Sequence, residues 1–263
     1  GKYPGKTLLI RADMDALLIN EEADVEYKSK VPGVMHACGH DGHTAALLGT
    51  AMVLNEIKHE LHGNIKLVFQ PAEEGEDGAR KMIEQGVLEN PKVHGAIACH
   101  LWGSVEEEHI EIKEGPLMAS CDDFKITIKG KGGHGSTPHL CIDPIEISVQ
   151  VINNIRSFIS RKIDSFQPIV LSFGAIHGGE SHNIIPDNVE ILGTLRTFDN
   201  SIKEYIKNSM EEIIDYTTKF YDGSYEIDFF SFAPTVMNDK SMTELAKKTL
   251  RDTYGKDKIL ECK

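Results

Sequence analysis

The 263-residue sequence has no apolar run long enough to span a bilayer, which sets aside a helical membrane protein. It also lacks a basic excess: 28 Lys and Arg stand against 41 Asp and Glu, for a formal net charge of −13. That balance argues against nucleic acid and against anionic membrane surfaces as main partners, though it leaves room for a local basic pocket. Cysteine is scarce and odd in number: Cys38, Cys99, Cys121, Cys141 and Cys262 show no paired spacing. A disulfide framework is therefore not expected. A reducing, cytoplasmic compartment is, with thiols that are buried, metal-bound or reactive. No glycine-rich phosphate loop supports nucleotide binding, and no Gly-x-Ser-x-Gly run supplies an activated serine. Low-complexity segments and short repeats are missing too. The opening residues carry no signal-peptide pattern; the start reads as cut, so export stays open.

What is present is enough apolar residue, 40% of the chain, for one large domain or two smaller ones. From Thr7 to about residue 115, strand and helix patterns alternate. Thr7–Ala12, Asn64–Gln70 and Val93–His100 read as strands, Thr44–Lys58 and Gly78–Gln85 as helices. This predicts an α/β unit with a mostly parallel, helix-covered sheet, whose ligands lie beyond the carboxyl ends of the strands. After Gly115-Pro116 the pattern changes. Asp123–Lys129 alternates polar and apolar. Asp143-Pro144 opens a helix with Ile145, Val149, Ile152, Ile155 and Ile159 assigned to one face. Strands are expected at Ile169–Ile176, Val189–Phe198 and Tyr225–Phe232. A second helix is expected from the capping box Ser201–Glu204, and another from Ser241. Strand-helix-strand-strand-helix-strand predicts an inserted α+β, ferredoxin-like domain. The expected boundaries are 1–116, 117–230 and a return over 231–263, where Lys258–Cys262 starts a strand in mid-pattern, as in a fragment.

Chemistry concentrates at the strand ends. His36-Ala37-Cys38-Gly39-His40-Asp41-Gly42-His43 packs three imidazoles, a thiol and a carboxylate into eight residues. Cys38 and His40, two apart, can face one ion, and thiolate and imidazole suit zinc and similar metals; the other reading is a loop of polar residues with a buried thiol. Glu73-Glu74 follows a strand: one carboxylate can ligate while the other moves protons, although such pairs read alone are usually solvated surface. Asp13 and Asp15 lie on one side of an extended chain and can orient or bridge metals, or serve as plain turn residues. His100 ends a strand and by itself reads as an ordinary histidine. In the second domain, Gly130–His139 is a glycine-rich turn with two imidazoles, equally readable as a hairpin. Arg196, at a strand end, can grip a carboxylate or form a surface ion pair.

In this order these pieces resemble the aminoacylase/carboxypeptidase family of metal-dependent amidohydrolases. The nearest branch holds hippurate hydrolases, N-acyl-amino-acid amidohydrolases, N-acetyldiaminopimelate deacetylases and plant hydrolases of indoleacetyl-amino acids. Arg11–Leu17, His36–His43, Pro71–Gly75, Gly132–His139 and Asn183–Pro186 carry the resemblance. It implies a metallopeptidase-type catalytic domain holding two divalent metals (Zn, Mn, Co or Ni) and a smaller lid that pairs subunits into a homodimer. It implies Cys38, His40, Glu74 and His100 as metal ligands, Glu73 as general base and Asp15 as the carboxylate orienting a ligand. Where the wider family carries a metal-binding His, this sequence has Asp13, with Cys38 in compensation. His134 matches the lid histidine that polarises the substrate carbonyl, from this chain or its partner; Asn183 and Arg196 match the carboxylate grip. Leu18 replaces a usual Pro. A further His ligand expected near the carboxyl end has no counterpart after His182, and little precedes the first strand, so the chain reads as truncated at both ends. The implied reaction is hydrolysis of the amide bond of an N-acyl amino acid by a metal-activated water. The alternative is a catalytically impaired metal or ligand binder of the same fold.

Overall fold

The computed structural model describes residues 1–75 and 77–262. In chain order the elements are β1 (Tyr3–Asp13), α1 (His40–Glu56), β2 (His62–Gln70), α2 (Gly78–Glu84), β3 (Gly95–Ala98), β4 (Ile110–Glu111), β5 (Gly115–Met118), β6 (Cys121–Lys129), β7 (Gly133–His134), α3 (Pro144–Lys162), β8 (Ile169–His177), β9 (Ile184–Ile185), β10 (Asn188–Thr197), α4 (Asn200–Phe220), β11 (Ser224–Ala233), β12 (Val236–Asn238), α5 (Lys240–Tyr254) and β13 (Ile259–Leu260). Contacts divide them into two compact units. The first is Gly1–Ile112 with Leu245–Glu261; the second is Lys113–Glu244 with Cys262. Among the described residues, no helix is long and apolar enough to cross a membrane.

In the first unit, β1 is the middle of a parallel sheet ordered β2-β1-β3. A central strand needs small or apolar residues on both faces, and Thr7, Leu9 and Ala12 are buried there. α1 turns His40, His43 and Leu47 inward. It begins at His40, not at Thr44 as its apolar stretch implied. The polar first turn stays helical because both imidazoles are buried, so tertiary contact outweighs propensity. Gly39 precedes it at φ 81°, a left-handed conformation that glycine adopts at no steric cost. β13 pairs in parallel with β4, Ile259 against Ile110, so the apolar run near residue 259 is a short strand as expected. Lys66, on β2, donates its ammonium hydrogens to the carbonyls of Val87, Glu89 and Pro91 at 2.8, 2.6 and 3.1 Å, tying down the turn before β3.

The second unit has a four-stranded antiparallel sheet ordered β11-β6-β10-β8. Its strand-helix-strand-strand-helix-strand connectivity gives that order in a ferredoxin-like fold. α3 and α4 lie on the same face: Ile147, Val151 and Ile155 share one core with Ile206, Met210 and Ile214, and with Phe124, Ile126, Ile128 and Ile191. Of the expected inward residues of α3, Ile155 is buried in this core and Ile152 and Ile159 pack against it, but the first two are not inward. Ile145 and Val149 are exposed, because an isoleucine-rich helix offers two apolar stripes and the sheet takes the one through Ile147. Gly193 sits at a register shift between β10 and β8, where a Cβ would come within 2.2 Å of the Phe124 ring. The opposite sheet face carries the ion pairs Lys125–Glu190 and Lys129–Glu226. α4 is capped by Asp199 rather than by Ser201: its Oδ1 accepts the N–H groups of Ser201 and Ile202 at 2.7 and 3.2 Å.

Candidate metal centre

The carboxyl ends of β1, β2 and β3 converge in the first unit, and each delivers one set of functional side chains. At the end of β1, Asp13 is buried and both its oxygens are engaged. Oδ1 accepts from His43 Nδ1 at 2.5 Å and Oδ2 from Arg11 at 2.8 Å, while Arg11 Nε reaches Gln70 Oε1 at 2.8 Å. Burial raises the Asp13 pKa, but the bond from His43 and the charge of Arg11 outweigh it and hold the carboxyl below its ordinary value. Asp15 is held below its ordinary value too: burial opposes ionisation, and the backbone N–H groups of Glu74 and Glu73 overcome it.

Asp15 fixes the imidazole that matters most. Its carbonyl oxygen lies 3.0 Å from Nδ1 of His40 and 3.0 Å from Nδ1 of His36. A carbonyl can only accept, so His40 Nδ1 carries a proton and neutral His40 presents a lone pair at Nε2. That Nε2 is buried and has no hydrogen-bond partner among the described residues. Around it stand Asp13 Oδ2 at 3.7 Å, Glu73 Oε2 at 3.9 Å and Glu74 Oε1 at 3.9 Å. After β3, His100 Nδ1 donates to the Leu101 carbonyl at 2.6 Å, which leaves its Nε2 facing Cys38 Sγ at 3.4 Å. Ligand atoms of Cys38, His40 and His100 lie within 4.8 Å of one another, as do those of His40, Glu73 and Glu74. An orphaned lone pair beside two such groups fits a divalent cation, since burying unpaired polar atoms otherwise costs free energy.

The glutamate pair is built by strain and close approach. Ala72 adopts φ 55°, unusual for a residue with a side chain. The first residue of α2, Gly78, packs where a Cβ would meet the Pro71 carbonyl at 1.9 Å. Glu73 titrates above its ordinary range, first through burial and then through repulsion from Glu74. The Cys38 thiol is pushed up to about 11, by burial first and then by Glu74 and neighbouring carboxylates. A cation reverses that field.

Of the residues expected from the sequence, the structure gathers Cys38, His40, Glu73, Glu74, His100 and Asp15 at one place. Sequence reasoning assigned no role to His43, although its position three residues after His40 puts both on one face of α1. The remaining three lie in the second unit. β7 pairs with β9, and the Asn183 carbonyl accepts Gly135 N–H at 2.8 Å, so His134 and Asn183 are neighbours. Ser136 N–H donates to His134 Nδ1 at 3.1 Å, which leaves the ring proton on Nε2 as an outward donor. Arg196 lies near the other end of β10, eight residues beyond Asn188, roughly 26 Å along a strand. There it pairs with Asp123 at 3.4 Å, and the structure does not bring it to His134 and Asn183.

A parallel α/β sheet with Cys, His and carboxylate donors at its strand ends is a scaffold for divalent metal. More narrowly, the chain belongs to peptidase family M20/M25/M40, whose sequence profile matches residues 9–263. It is 45% identical over 242 residues to an N-acyl-L-amino acid amidohydrolase of Geobacillus stearothermophilus, covering 91% of this chain and 65% of that protein. It is 42% identical over 248 residues to an N-acetylcysteine deacetylase of Bacillus subtilis, covering 94% and 65%. The crystal structure of Bacillus subtilis YXEP protein, described as a dinuclear metal binding peptidase, matches with TM-score 0.83 and 37% identity, over 100% of this chain and 67% of that one. The chain spans 65% of the length of each of those two curated relatives.

Proposed function

We propose that this chain carries the metal centre of a hydrolase that cleaves the amide bond of N-acyl amino acids. The observation that carries the proposal is the buried, unpartnered Nε2 of His40 between Glu73, Glu74 and the Cys38–His100 pair. Cys38, His40, Glu74 and His100 would hold two divalent ions, with zinc, manganese, cobalt and nickel all compatible with the donors. Bound there, the ions would supply the Lewis acidity that makes water a nucleophile near neutral pH and polarises the amide carbonyl. Asp15 keeps His40 in the tautomer that offers Nε2. Glu73, beside Glu74 and 3.9 Å from His40 Nε2, would take the proton of the attacking water and pass it to the leaving amine nitrogen. His134, with its proton on Nε2, is assigned the donor role toward the oxyanion, and Asn183 and Arg196 the substrate carboxylate.

One small substrate cannot touch both His134 and Arg196 of a single second unit. A homodimer that sets one end of this sheet against the other end of its partner's supplies both, which supports reading this unit as a dimerising lid. The relatives' names, an N-acyl-L-amino acid amidohydrolase and an N-acetylcysteine deacetylase, point to the same substrate class. The test is amine release from a panel of N-acyl amino acids with each metal added. Glu73→Gln is expected to keep metal stoichiometry and lose turnover by about 10²-fold or more. Stoichiometric metal with no turnover on any substrate would leave a metal-binding member of the family instead.

A further inference from the structure

The proposed mechanism gives no task to His43, which is buried on α1 at 4% exposure. Both its ring nitrogens are spent. Nδ1 donates to Asp13 Oδ1 at 2.5 Å, and Nε2 accepts the N–H of Leu101 at 2.8 Å. A backbone N–H can only donate, so the ring proton sits on Nδ1 and the lone pair of Nε2 is used up. His43 is therefore no ligand, although Asp13, His40 and His43 also offer atoms within 4.8 Å of one another. What His43 does hold is the main chain of Leu101, whose carbonyl takes the Nδ1 proton of His100 at 2.6 Å. The His43 and His100 rings also meet at a steep angle, with centroids 4.6 Å apart and planes at 66°. The far end of this chain of contacts is anchored as well, because Arg11 holds the second oxygen of Asp13 at 2.8 Å. Gly42 makes room for the arrangement: a Cβ there would come within 2.5 Å of Leu101 Cδ1.

We propose that His43 is a positioning residue that acts through Leu101 to aim the Nε2 lone pair of His100 at the place it shares with Cys38, and so sets the affinity of the Cys38–His40–His100 group for a divalent cation. The proposal rests on the metal-centre reading above. It separates two hydrogen bonds of one ring, which two substitutions can divide. His43→Asn keeps a donor where Nδ1 stands, for Asp13, and loses the acceptor for Leu101. His43→Gln reaches Leu101 N–H with its amide oxygen and loses the donor to Asp13.

The probe is Co²⁺ alone, titrated into the full chain and read by thiolate-to-cobalt charge-transfer absorption. The Asn variant is expected to bind about 10–100-fold more weakly, the usual scale for losing an outer partner of a metal ligand, while the Gln variant recovers most of that loss. Thermal unfolding without metal should fall in both variants alike, since each leaves a buried polar group short of a partner. Equal losses of Co²⁺ affinity in both, or none in the Asn variant, would make His43 merely structural and overturn the proposal while the metal centre stands. Absence of the charge-transfer band in the parent would sink the metal centre, and the relay with it. Nitrogen-15 shifts of the His43 ring in the metal-free parent give a readout free of folding defects. They should show Nδ1 protonated and Nε2 bare; a protonated Nε2 overturns the relay whatever the variants do.

Discussion

At the scale of single residues, Cys38 couples the centre to pH. Carboxylates and burial hold its thiol at about 11, above the ordinary value of 9.0, so near neutral pH a cation must displace its proton to gain the thiolate. Protonation competes with metal, so affinity rises with pH and is lost as pH falls, by about tenfold per unit from this one group. Zinc titrations at pH 6.5, 7.5 and 8.5 (values roughly spanning neutrality) should show that slope and a released proton. Cys38→Ser should weaken binding and flatten the slope by one proton; an unchanged slope removes Cys38 from the ligand set. Much of this centre was legible in the sequence, because its donors cluster locally: Cys38 and His40 two apart, Glu73 beside Glu74, His100 directly after a strand. What was not legible is the partnership of Asp13 with His43. It joins residues thirty positions apart, and only the packing of α1 on β1 shows that His43 spends both ring nitrogens, on Asp13 and on Leu101, and is no ligand.

At the scale of elements, the second unit stands on helix caps and one isoleucine-rich core. The Asp143 side chain accepts the N–H groups of Ile145 and Glu146 at 2.9 and 3.4 Å, with Pro144 at the first helical position. Asp143→Ala should cost about 1 kcal/mol of stability, the usual worth of such a cap. Ile126, fully buried on β6 in the core that both helices share, should cost about 2–5 kcal/mol when replaced by Ala. Urea unfolding of both variants orders the two effects; a cap loss exceeding the core loss would mean that the helices, not their packing, limit this unit. The connectivity of this unit was readable from the alternation of periods. The inward residues of the first two turns of α3 were not, because Ile145 and Val149 lead into Ile152 and Ile155 as well as Ile147 and Val151 do. The true cap of α4 was hidden by a capping-box pattern two residues later. The register shift at Gly193 arises from pairing across the sheet, on which local patterns are silent.

At the scale of the whole molecule, the separation of His134 from Arg196 would make the proposed activity a property of two chains if both residues meet the substrate. His134→Ala and Arg196→Ala should each abolish hydrolysis of N-acyl amino acids when expressed alone. Co-expressed, they should regain it, because a mixed dimer has one site with both residues intact. Activity that stays absent in verified mixed dimers would place both residues in one chain's site; activity kept by Arg196→Ala alone would leave Arg196 to its ion pair with Asp123. The excess of acid, a net charge of −13, gives this arrangement a second motive: an anionic substrate needs a cation brought to it from a particular place.

The three carbonyls gathered on Lys66 amount to a small ion cage whose ion is bonded to the polypeptide. Such an ion cannot be diluted, chelated or exchanged for a competitor. The molecule thus handles positive charge in two economies: a fixed one, inherited with β2, which orders the turn leading into β3 whatever the surrounding medium contains, and a borrowed one at the strand ends, whose supply is decided by the medium.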